Sequence, residues 1–184
     1  MKHVVIMSKA PKMGRTKTRL AANTGPVQAA AFHRKTLFHV AQQLNDNRWM
    51  RWLAVTPDAA ASQPRLWPDG WAVIPQGRGD LGDRMLRPLA QLPPGPVVII
   101  GSDIPDITAD HIAAAFAALG ENDWVFGPAT DGGYWLVGAK RRPRLVNPFQ
   151  GVRWSTEHAR ADTLANLPDE TKIGFLETLS DVDE

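Results

Sequence analysis

The sequence predicts a single α/β domain built on a mainly parallel sheet. Two observations lead to this prediction. Short apolar strands alternate with helices along most of the chain, and the 184 residues, 43% of them hydrophobic, are enough for one core. Alternating strands and helices favour parallel pairing, with the helices packed on the sheet. We expect one domain over residues 1–184, since neither a repeat nor a low-complexity linker divides the chain.

The first strand is expected over residues 3–7, followed by a loop that Pro11 and Gly14 interrupt. A helix over 26–44 is expected because Pro26 suits a first helical turn and apolar residues follow at helical spacing. The other expected strands are 52–56, 71–75, 97–101, 123–127 and 134–138, and the other expected helices are 83–92, 109–119 and 156–166. Ligands of such sheets collect at the carboxyl ends of the strands. Three predicted loops leave strands at that edge: 8–19, 76–84 and 101–106.

Composition excludes several classes of protein. The chain has no cysteine, which excludes a disulfide scaffold, a Cys-based zinc site and a cysteine nucleophile. Its longest strongly apolar run, 97–100, is far shorter than the roughly 20 residues of a membrane span, and the start lacks the apolar stretch of a signal peptide. A net charge of +2 is too small to indicate a nucleic-acid partner. We therefore expect a cytoplasmic protein that binds neither membrane nor nucleic acid.

The loop after the first strand is basic. Gly14 allows the backbone N–H groups of this loop to approach an anion closely. Cations around such a glycine suit the phosphates of a nucleotide. The candidate phosphate-binding residues are Lys9, Gly14, Arg15, Lys17 and Arg19.

Asp103 follows the apolar strand 97–101 and is the candidate metal ligand. Carboxylate oxygens suit Mg²⁺ or Mn²⁺, which also bind phosphates. Asp106 or Thr108 stands immediately before the next predicted helix and is expected to cap it. Asp103 comes too early to be the cap and is therefore the better ligand candidate.

Residues 77–82 form a literal G-x-G-x-x-G between a predicted strand and a predicted helix, with Asp103 about 20 residues further on. By itself this pattern indicates a dinucleotide-binding loop and leaves NAD binding open as an alternative. Its position in the middle of the chain argues against that alternative, because the basic loop would then have no role.

Three further segments carry candidate residues. Asp131 and Tyr134 are expected to bring a carboxylate and a hydroxyl to one glycine-containing turn. Trp154 could line a pocket, and Ser155 stands at a predicted helix start. The last acidic residues are either a solvated tail or weaker candidates for metal ligands: Asp181 and Asp183.

Taken together, these segments resemble one bacterial family. The residues that carry the resemblance are Lys9-Ala-Pro-x-x-Gly-x-x-Lys17-Thr-Arg-Leu20, Gly79-Asp-Leu-Gly-x-Arg84-Met85, Gly101-Ser-Asp-x-Pro-Asp106, Gly127-Pro-Ala-x-Asp-Gly-Gly-Tyr134 and Trp154-Ser-Thr156. In this order, over nearly the whole chain, they resemble the DUF2064 family, whose members are labelled glycosyltransferases. The Lys17-to-Leu20 segment is also similar to the phosphate loop of 2-phospholactate guanylyltransferases.

The resemblance implies a three-layer α/β/α domain of the GT-A, nucleotide-diphospho-sugar transferase type. Under this interpretation, residues 79–84 line the nucleotide cleft, which makes Gly79, Gly82 and Arg84 candidate nucleotide-binding residues. Asp103 would correspond to the metal-binding aspartate of the fold.

The expected function is that of a metal-dependent transferase that takes a nucleotide sugar and passes the sugar to an unknown small-molecule acceptor. Asp103 would hold Mg²⁺ or Mn²⁺, and Asp131 would orient or deprotonate the acceptor. The candidates on the acceptor side are Tyr134, Trp154 and Ser155.

Two alternatives remain open. A nucleotidyltransferase would join an NTP to a phosphorylated acceptor and release pyrophosphate, and the density of cations near Gly14 suits a triphosphate. A non-catalytic nucleotide-binding protein is favoured by the C-terminal acidic segment, which is shorter here than the ending of the family.

Overall fold

The computed structural model describes residues 1–11 and 25–179. Seven strands form one sheet, in the order β3-β2-β1-β4-β6-β5-β7. Their bounds are β1 His3–Lys9, β2 Met50–Thr56, β3 Ala72–Pro75, β4 Val97–Gly101, β5 Trp124–Pro128, β6 Tyr134–Ala139 and β7 Ile173–Phe175. Only β6 runs antiparallel to its neighbours, β4 and β5. The prediction of a mainly parallel sheet is confirmed.

Within residues 1–11 and 25–179, four α-helices connect the strands: α1 Pro26–Gln43, α2 Leu81–Gln91, α3 Ala109–Glu121 and α4 Ala159–Ala165. Short 3₁₀ turns at Asp58–Ala60 and Pro64–Leu66 lie between β2 and β3. None of the helices in the described part of the chain is long and apolar enough to cross a membrane.

Alternate residues of the strands point to opposite faces of the sheet and build two cores. Val4 and Ile6 belong to the core that also contains Leu37 of α1 and Phe116 of α3. Val5, which lies between them, belongs to the core with Leu89 of α2. The sheet is therefore the middle of three layers, as the family resemblance implies.

The ends of two helices differ in how well the sequence predicts them. Thr108 is the N-cap of α3, one of the two residues expected there. Helix α4 begins at Ala159 rather than at the predicted residue 156. Thr156 instead closes a turn: its hydroxyl donates to Arg153 O at 2.7 Å and accepts from His158 N at 3.2 Å.

Strand β7 was not predicted. It has three residues with a glycine in the middle, too short for an alternating pattern, and it exists because it pairs with Trp124–Phe126 of β5. After this pairing, residues 176–179 continue along β5 toward the carboxyl edge of the sheet.

Packing against Gly127 gives a first prediction. A Cβ atom at position 127 would lie 2.3 Å from the ring of Trp135, whereas a Cβ atom at Gly120 in α3 would meet no atom within 4 Å. We expect Gly127→Ala to lower the free energy of unfolding by about 1–3 kcal/mol, because the buried indole must move. The matched control, Gly120→Ala, should leave stability unchanged or slightly raised. Urea unfolding of both variants checks this, and equal midpoints would contradict the packing.

Candidate functional site

The strand order reverses between β1 and β4. The chain passes from β1 to β2 on one side of the sheet centre and from β4 toward β5 on the other. In open α/β sheets, a crevice for ligands forms at such a point, outside the carboxyl ends of the two strands. The residues at these two ends therefore define the candidate site.

Lys9 and Asp103 lie at equivalent positions on the two central strands. Met7 of β1 pairs with Gly101 of β4, and Lys9 and Asp103 each come two residues later. Lys9 and Asp103 therefore both follow the last paired residues of two neighbouring strands, at the same edge of the sheet. Lys9 is exposed and Asp103 is half-buried.

The end of β1 is fixed from two directions. The buried amide of Gln76, immediately after β3, donates from Nε2 to Ala54 O at 2.9 Å and to Ser8 O at 3.2 Å. On helix α1, His33 Nε2 lies 2.9 Å from Lys9 O. These contacts set where the basic loop begins. Sequence reasoning missed Gln76 and His33, because neither stands in a recognisable motif.

The remaining residues predicted to bind phosphate lie outside the described residues: Gly14, Arg15, Lys17 and Arg19. The same holds for the weaker metal candidates, Asp181 and Asp183. Of the basic loop, the structure therefore places Lys9 at its start.

Gly101 provides room for the carboxylate of Asp103. A Cβ atom at position 101 would lie 2.8 Å from Asp103 Oδ1, so a side chain there would displace the carboxylate.

Helix α3, which follows Asp103, is capped at its start: Thr108 N donates to His111 Nδ1 at 3.0 Å.

The carboxylate oxygens of Asp103 are ligands that suit Mg²⁺ or Mn²⁺. Among residues 1–11 and 25–179, no three metal-ligating side chains form a cluster. Mg²⁺ at phosphate-binding sites is held by one or two carboxylates together with phosphate oxygens and water, so a complete protein cage is unnecessary. A carboxylate that follows a central strand at the ligand-binding edge can supply the protein ligand of such a site.

Residues 77–82 do not form a dinucleotide-binding loop. They follow β3, which lies at the outer edge of the sheet and not at the point where the strand order reverses. The start of helix α2 already carries a reciprocal capping pair, in which Asp80 Oδ1 accepts from Asp83 N and Asp83 Oδ2 accepts from Asp80 N. Two carboxylates at a helix N-terminus repel a pyrophosphate, which argues against NAD binding there.

The candidate nucleotide-binding residues Gly79 and Arg84 lie close to the capping pair of Asp80 and Asp83. A Cβ atom at Gly79 would lie 2.2 Å from Asp83 Oδ2, and Arg84 Nε donates to Gly79 O at 3.0 Å. Arg84 therefore braces the backbone of the loop.

The structure brings Gly82 and Trp154 together. A Cβ atom at position 82 would lie 2.9 Å from Trp154 Cζ2 and 2.6 Å from Phe149 Cβ. The indole N–H of Trp154 is buried and has no acceptor among the described residues. Ser155, which follows, is exposed and has a positive φ of 60°.

Asp131 closes its own turn, and this turn packs on the segment after Trp154. Asp131 Oδ1 accepts from Gly133 N at 2.8 Å, and the Asp131 side chain is exposed. Gly132 has a φ of 87°, and a Cβ atom there would lie 2.3 Å from Glu157 O. Three segments distant in sequence, 79–84, 131–134 and 154–157, are thus linked by direct packing.

The hydroxyl of Tyr134 lies against helix α4. Its oxygen is 3.5 Å from Thr163 Oγ1, and its ring packs edge-on against Phe126 at 5.4 Å between centroids. Burial raises the pKa of this phenol, so it stays protonated. Sequence reasoning expected the hydroxyl beside Asp131; the structure places it toward the core.

Arg153 joins the turn before α4 to that helix. Its guanidinium donates from Nε and Nη2 to the two carboxylate oxygens of Asp162, at 2.8 and 2.7 Å. These bonds hold the pKa of Asp162 well below its usual range. The pair fixes the segment that carries Trp154 and Ser155.

Solved structures share this fold. A candidate nucleotide-diphospho-sugar transferase from Desulfovibrio desulfuricans G20 is 26% identical, with 99% of this chain and 82% of that chain covered and a TM-score of 0.89. The 4-diphosphocytidyl-2C-methyl-D-erythritol synthase of Anaerococcus prevotii is 10% identical, with 96% and 87% covered and a TM-score of 0.62.

A third structure contains ligands. Glucosyl-3-phosphoglycerate synthase of Mycobacterium tuberculosis, in complex with Mn²⁺, UDP and glucosyl-3-phosphoglycerate, is 12% identical, with 98% and 70% covered and a TM-score of 0.60. These solved neighbours are transferases, which agrees with the expectation of an enzyme of this class. The two distant ones share the fold alone.

Comparison with curated protein sequences gives no match. A family profile described as "Uncharacterized protein conserved in bacteria (DUF2064)" matches residues 36–156. That range covers more than half of the chain and contains β2 to β6, Asp103, the segments 79–84 and 131–134, and residues 154–156 of the third. The chain belongs to the DUF2064 family.

Proposed function

We propose that this protein is a metal-dependent transferase that binds a nucleotide sugar and transfers the sugar to a small-molecule acceptor. The observation that carries the proposal is that Lys9 and Asp103 each stand two residues after the Met7–Gly101 pair of β1 and β4, where the strand order reverses. A cation and a hard carboxylate at that point match the two needs of a nucleotide diphosphate: neutralised phosphates and a bound divalent metal.

Each group has a role in this proposal. Lys9, with Arg15, Lys17 and Arg19 of the same basic loop, would bind the phosphates, and Asp103 would hold Mg²⁺ or Mn²⁺. The metal, when bound, would neutralise charge that develops on the leaving phosphate. The structural neighbour that contains Mn²⁺ together with UDP supports this pairing of metal and nucleotide.

Acceptor binding is assigned to the other side of the crevice. Asp131 is exposed on a turn that Gly132 packs against the segment after Trp154. Its carboxylate would orient or deprotonate the acceptor hydroxyl. Ser155 and the indole N–H of Trp154 would complete the acceptor-binding surface. We also propose that the protein resides in the cytoplasm.

A nucleotidyltransferase is the second candidate. The number of cations in the basic loop suits a triphosphate, and a neighbour with 87% of its chain covered is a 4-diphosphocytidyl-2C-methyl-D-erythritol synthase. Release of pyrophosphate from an NTP in the presence of a phosphorylated acceptor would favour this chemistry over sugar transfer.

Nucleotide binding is predicted to depend on metal. We expect one NDP-sugar or NTP to stabilise the protein in the presence of Mn²⁺ and to lose that effect in EDTA. At a hundredfold excess over Kd, the gain is about 2.7 kcal/mol, or roughly 5–11 °C in Tm for a chain of this size. Thermal unfolding against a panel of nucleotides, NDP-sugars and NAD(H) measures this. Stabilisation that persists in EDTA would favour a non-catalytic nucleotide-binding protein.

Asp106, three residues after Asp103, provides a matched control for substitution of Asp103. We expect Asp103→Asn to weaken Mn²⁺ binding about tenfold or more, a loss of about 1.4 kcal/mol, because a neutral amide replaces the carboxylate ligand. Asp106→Asn removes the same charge from an exposed position and should change the affinity less than twofold. Electron paramagnetic resonance of free Mn²⁺ measures both. Equal affinities in the two variants would remove Asp103 from the site.

Asp131→Asn separates acceptor chemistry from structure. The amide oxygen of Asn can still accept from Gly133 N, so the turn should persist. We expect kcat to fall about a hundredfold or more while the donor Kd stays within twofold. The exposed Asp169→Asn serves as a charge control. Turnover of the donor that the thermal experiment identifies provides the measurement, and an unchanged kcat would exclude Asp131 as a base.

A further inference from the structure

The end of β1 is held by side chains where its pairing with β4 has stopped. Pairing of β1 with β4 ends at Met7, whereas pairing with β2 continues to Lys9. The carbonyl oxygen of Lys9 accepts from Ser8 Oγ at 3.1 Å and lies 2.9 Å from His33 Nε2 on helix α1. Because a carbonyl oxygen can only accept, Nε2 of His33 must carry the proton and donate it. The peptide group that follows the Cα atom of Lys9 is thus fixed by two side chains.

His33 is a buried polar residue in the apolar stripe of helix α1. It is 6% exposed and lies four residues after Ala29 and four before Leu37, both of which are fully buried. Burial of an imidazole is unfavourable unless its N–H group finds an acceptor, which the Lys9 carbonyl provides for Nε2. An apolar residue could pack at this position without binding the strand. The imidazole therefore adds a link between α1 and the end of β1.

Gln76 fixes the peptide group on the other side of Lys9. This residue follows β3 directly and is 5% exposed. Its side-chain amide donates to Ser8 O at 3.2 Å and to Ala54 O at 2.9 Å, so one NH₂ group joins the ends of β1 and β2. The backbone carbonyl of Gln76 accepts in turn from Arg87 Nη1 of helix α2. The amide that holds Ser8 is therefore itself fixed to a helix.

Ser8 and His33 do not form a nucleophile–base pair, although Ser8 Oγ lies 3.4 Å from His33 Nε2. A base must accept the hydroxyl proton, but Nε2 already donates to Lys9 O at the shorter distance of 2.9 Å. The Ser8 hydroxyl donates to the same carbonyl. Both groups therefore fix the backbone at Lys9 and leave no base for covalent chemistry at Ser8.

We propose that His33 and Gln76 are positioning residues, which fix the backbone on both sides of Lys9 so that its ammonium group meets the phosphates of the nucleotide. This proposal rests on the proposed function, because it assumes that Lys9 binds phosphate. A lysine side chain has a flexible four-carbon stem, and Lys9 is exposed. Fixing the backbone from which this stem extends lowers the conformational entropy that phosphate binding must remove.

The test measures the Kd of magnesium pyrophosphate by isothermal titration calorimetry, on the full chain and in a fixed excess of Mg²⁺. We expect His33→Ala and Gln76→Leu each to weaken binding at least fivefold, because the backbone at Lys9 is no longer held. The Kd of Mn²⁺ alone, measured by electron paramagnetic resonance, should stay within twofold of the wild type, since Asp103 follows β4 and not β1. Equal losses of both ligands would show general damage to this edge of the sheet and would overturn the proposal.

Matched variants test whether the hydrogen bond is responsible. His33→Gln keeps a side-chain N–H that can donate to Lys9 O, and it should bind magnesium pyrophosphate within twofold of the wild type. His39→Ala and Gln43→Leu make the same exchanges at exposed positions of helix α1 and should also stay within twofold. A loss in His33→Gln as large as in His33→Ala would contradict the proposal, since the N–H group would then have no effect.

A double-mutant cycle shows whether the two residues act through Lys9. In a Lys9→Met background, which lacks the ammonium group, His33→Ala and Gln76→Leu should have no further effect on the Kd of magnesium pyrophosphate. A fivefold loss that persists in that background would overturn the proposal, because the two residues would then act independently of Lys9.

The same measurements separate failure of the positioning roles from failure of the function. If the wild type does not bind magnesium pyrophosphate, or Lys9→Met binds it equally well, the phosphate role of Lys9 fails and the positioning roles fail with it. If Lys9→Met loses affinity while His33→Ala and Gln76→Leu keep it, the positioning roles alone are overturned. Thermal unfolding shows which variants fold. If Gln76→Leu does not fold, because two carbonyls lose a buried donor, the comparison of His33→Ala with His33→Gln decides the test.

Discussion

Parallel pairing of β1 with β4 is the constraint on which the rest of this structure depends. Two strands that are far apart in sequence lie side by side at the centre of the sheet, and the chain leaves them toward opposite sides. The carboxyl ends of these strands therefore meet at a crevice. This one register brings the segments that begin at Lys9 and at Ser102 to the same edge, and Gln76 and His33 contact the end of β1.

Glycines connect the rest of the site. Because they lack a side chain, Gly82 leaves room for Trp154, Gly132 leaves room for the backbone of Glu157, and Gly127 leaves room for the ring of Trp135. In each case, a Cβ atom would overlap a segment from another part of the chain. Gly82 and Gly132 thus leave room for segments that are distant in sequence, and this packing links the segments 79–84, 131–134 and 154–157.

Charge is divided between the two ends of the chain. In the sequence, basic residues follow β1, and acidic residues dominate positions 169–184. Under the proposed function, cations would neutralise phosphates, and a carboxylate would hold the metal. The small net charge of the whole chain conceals this division between its two ends.

The three-layer class was implied by the family resemblance. The sequence by itself determined the alternation of strands and helices, the mainly parallel sheet, the cap of α3 to within two residues and the position of Asp103 after an apolar strand. These follow from local patterns of apolar residues, caps and strand ends, which short stretches of chain carry in full. Its glycine fingerprint at 77–82 also suggested a dinucleotide loop, because a motif does not show where in a sheet its strand will lie.

Tertiary structure alone decided the strand order, the existence of β7, the direction of the Tyr134 hydroxyl and the contacts of Gln76 and Glu177. Residues 76 and 177 contact partners 68 and 66 positions away, Ser8 and His111, so no local pattern could reveal them. Strand β7 is too short to be stable without its pairing with β5. The Tyr134 side chain points inward because its ring packs against Phe126 and its hydroxyl lies near Thr163 Oγ1. Contacts between segments distant in sequence form only when the sheet has assembled, and they convert separate motifs into one site.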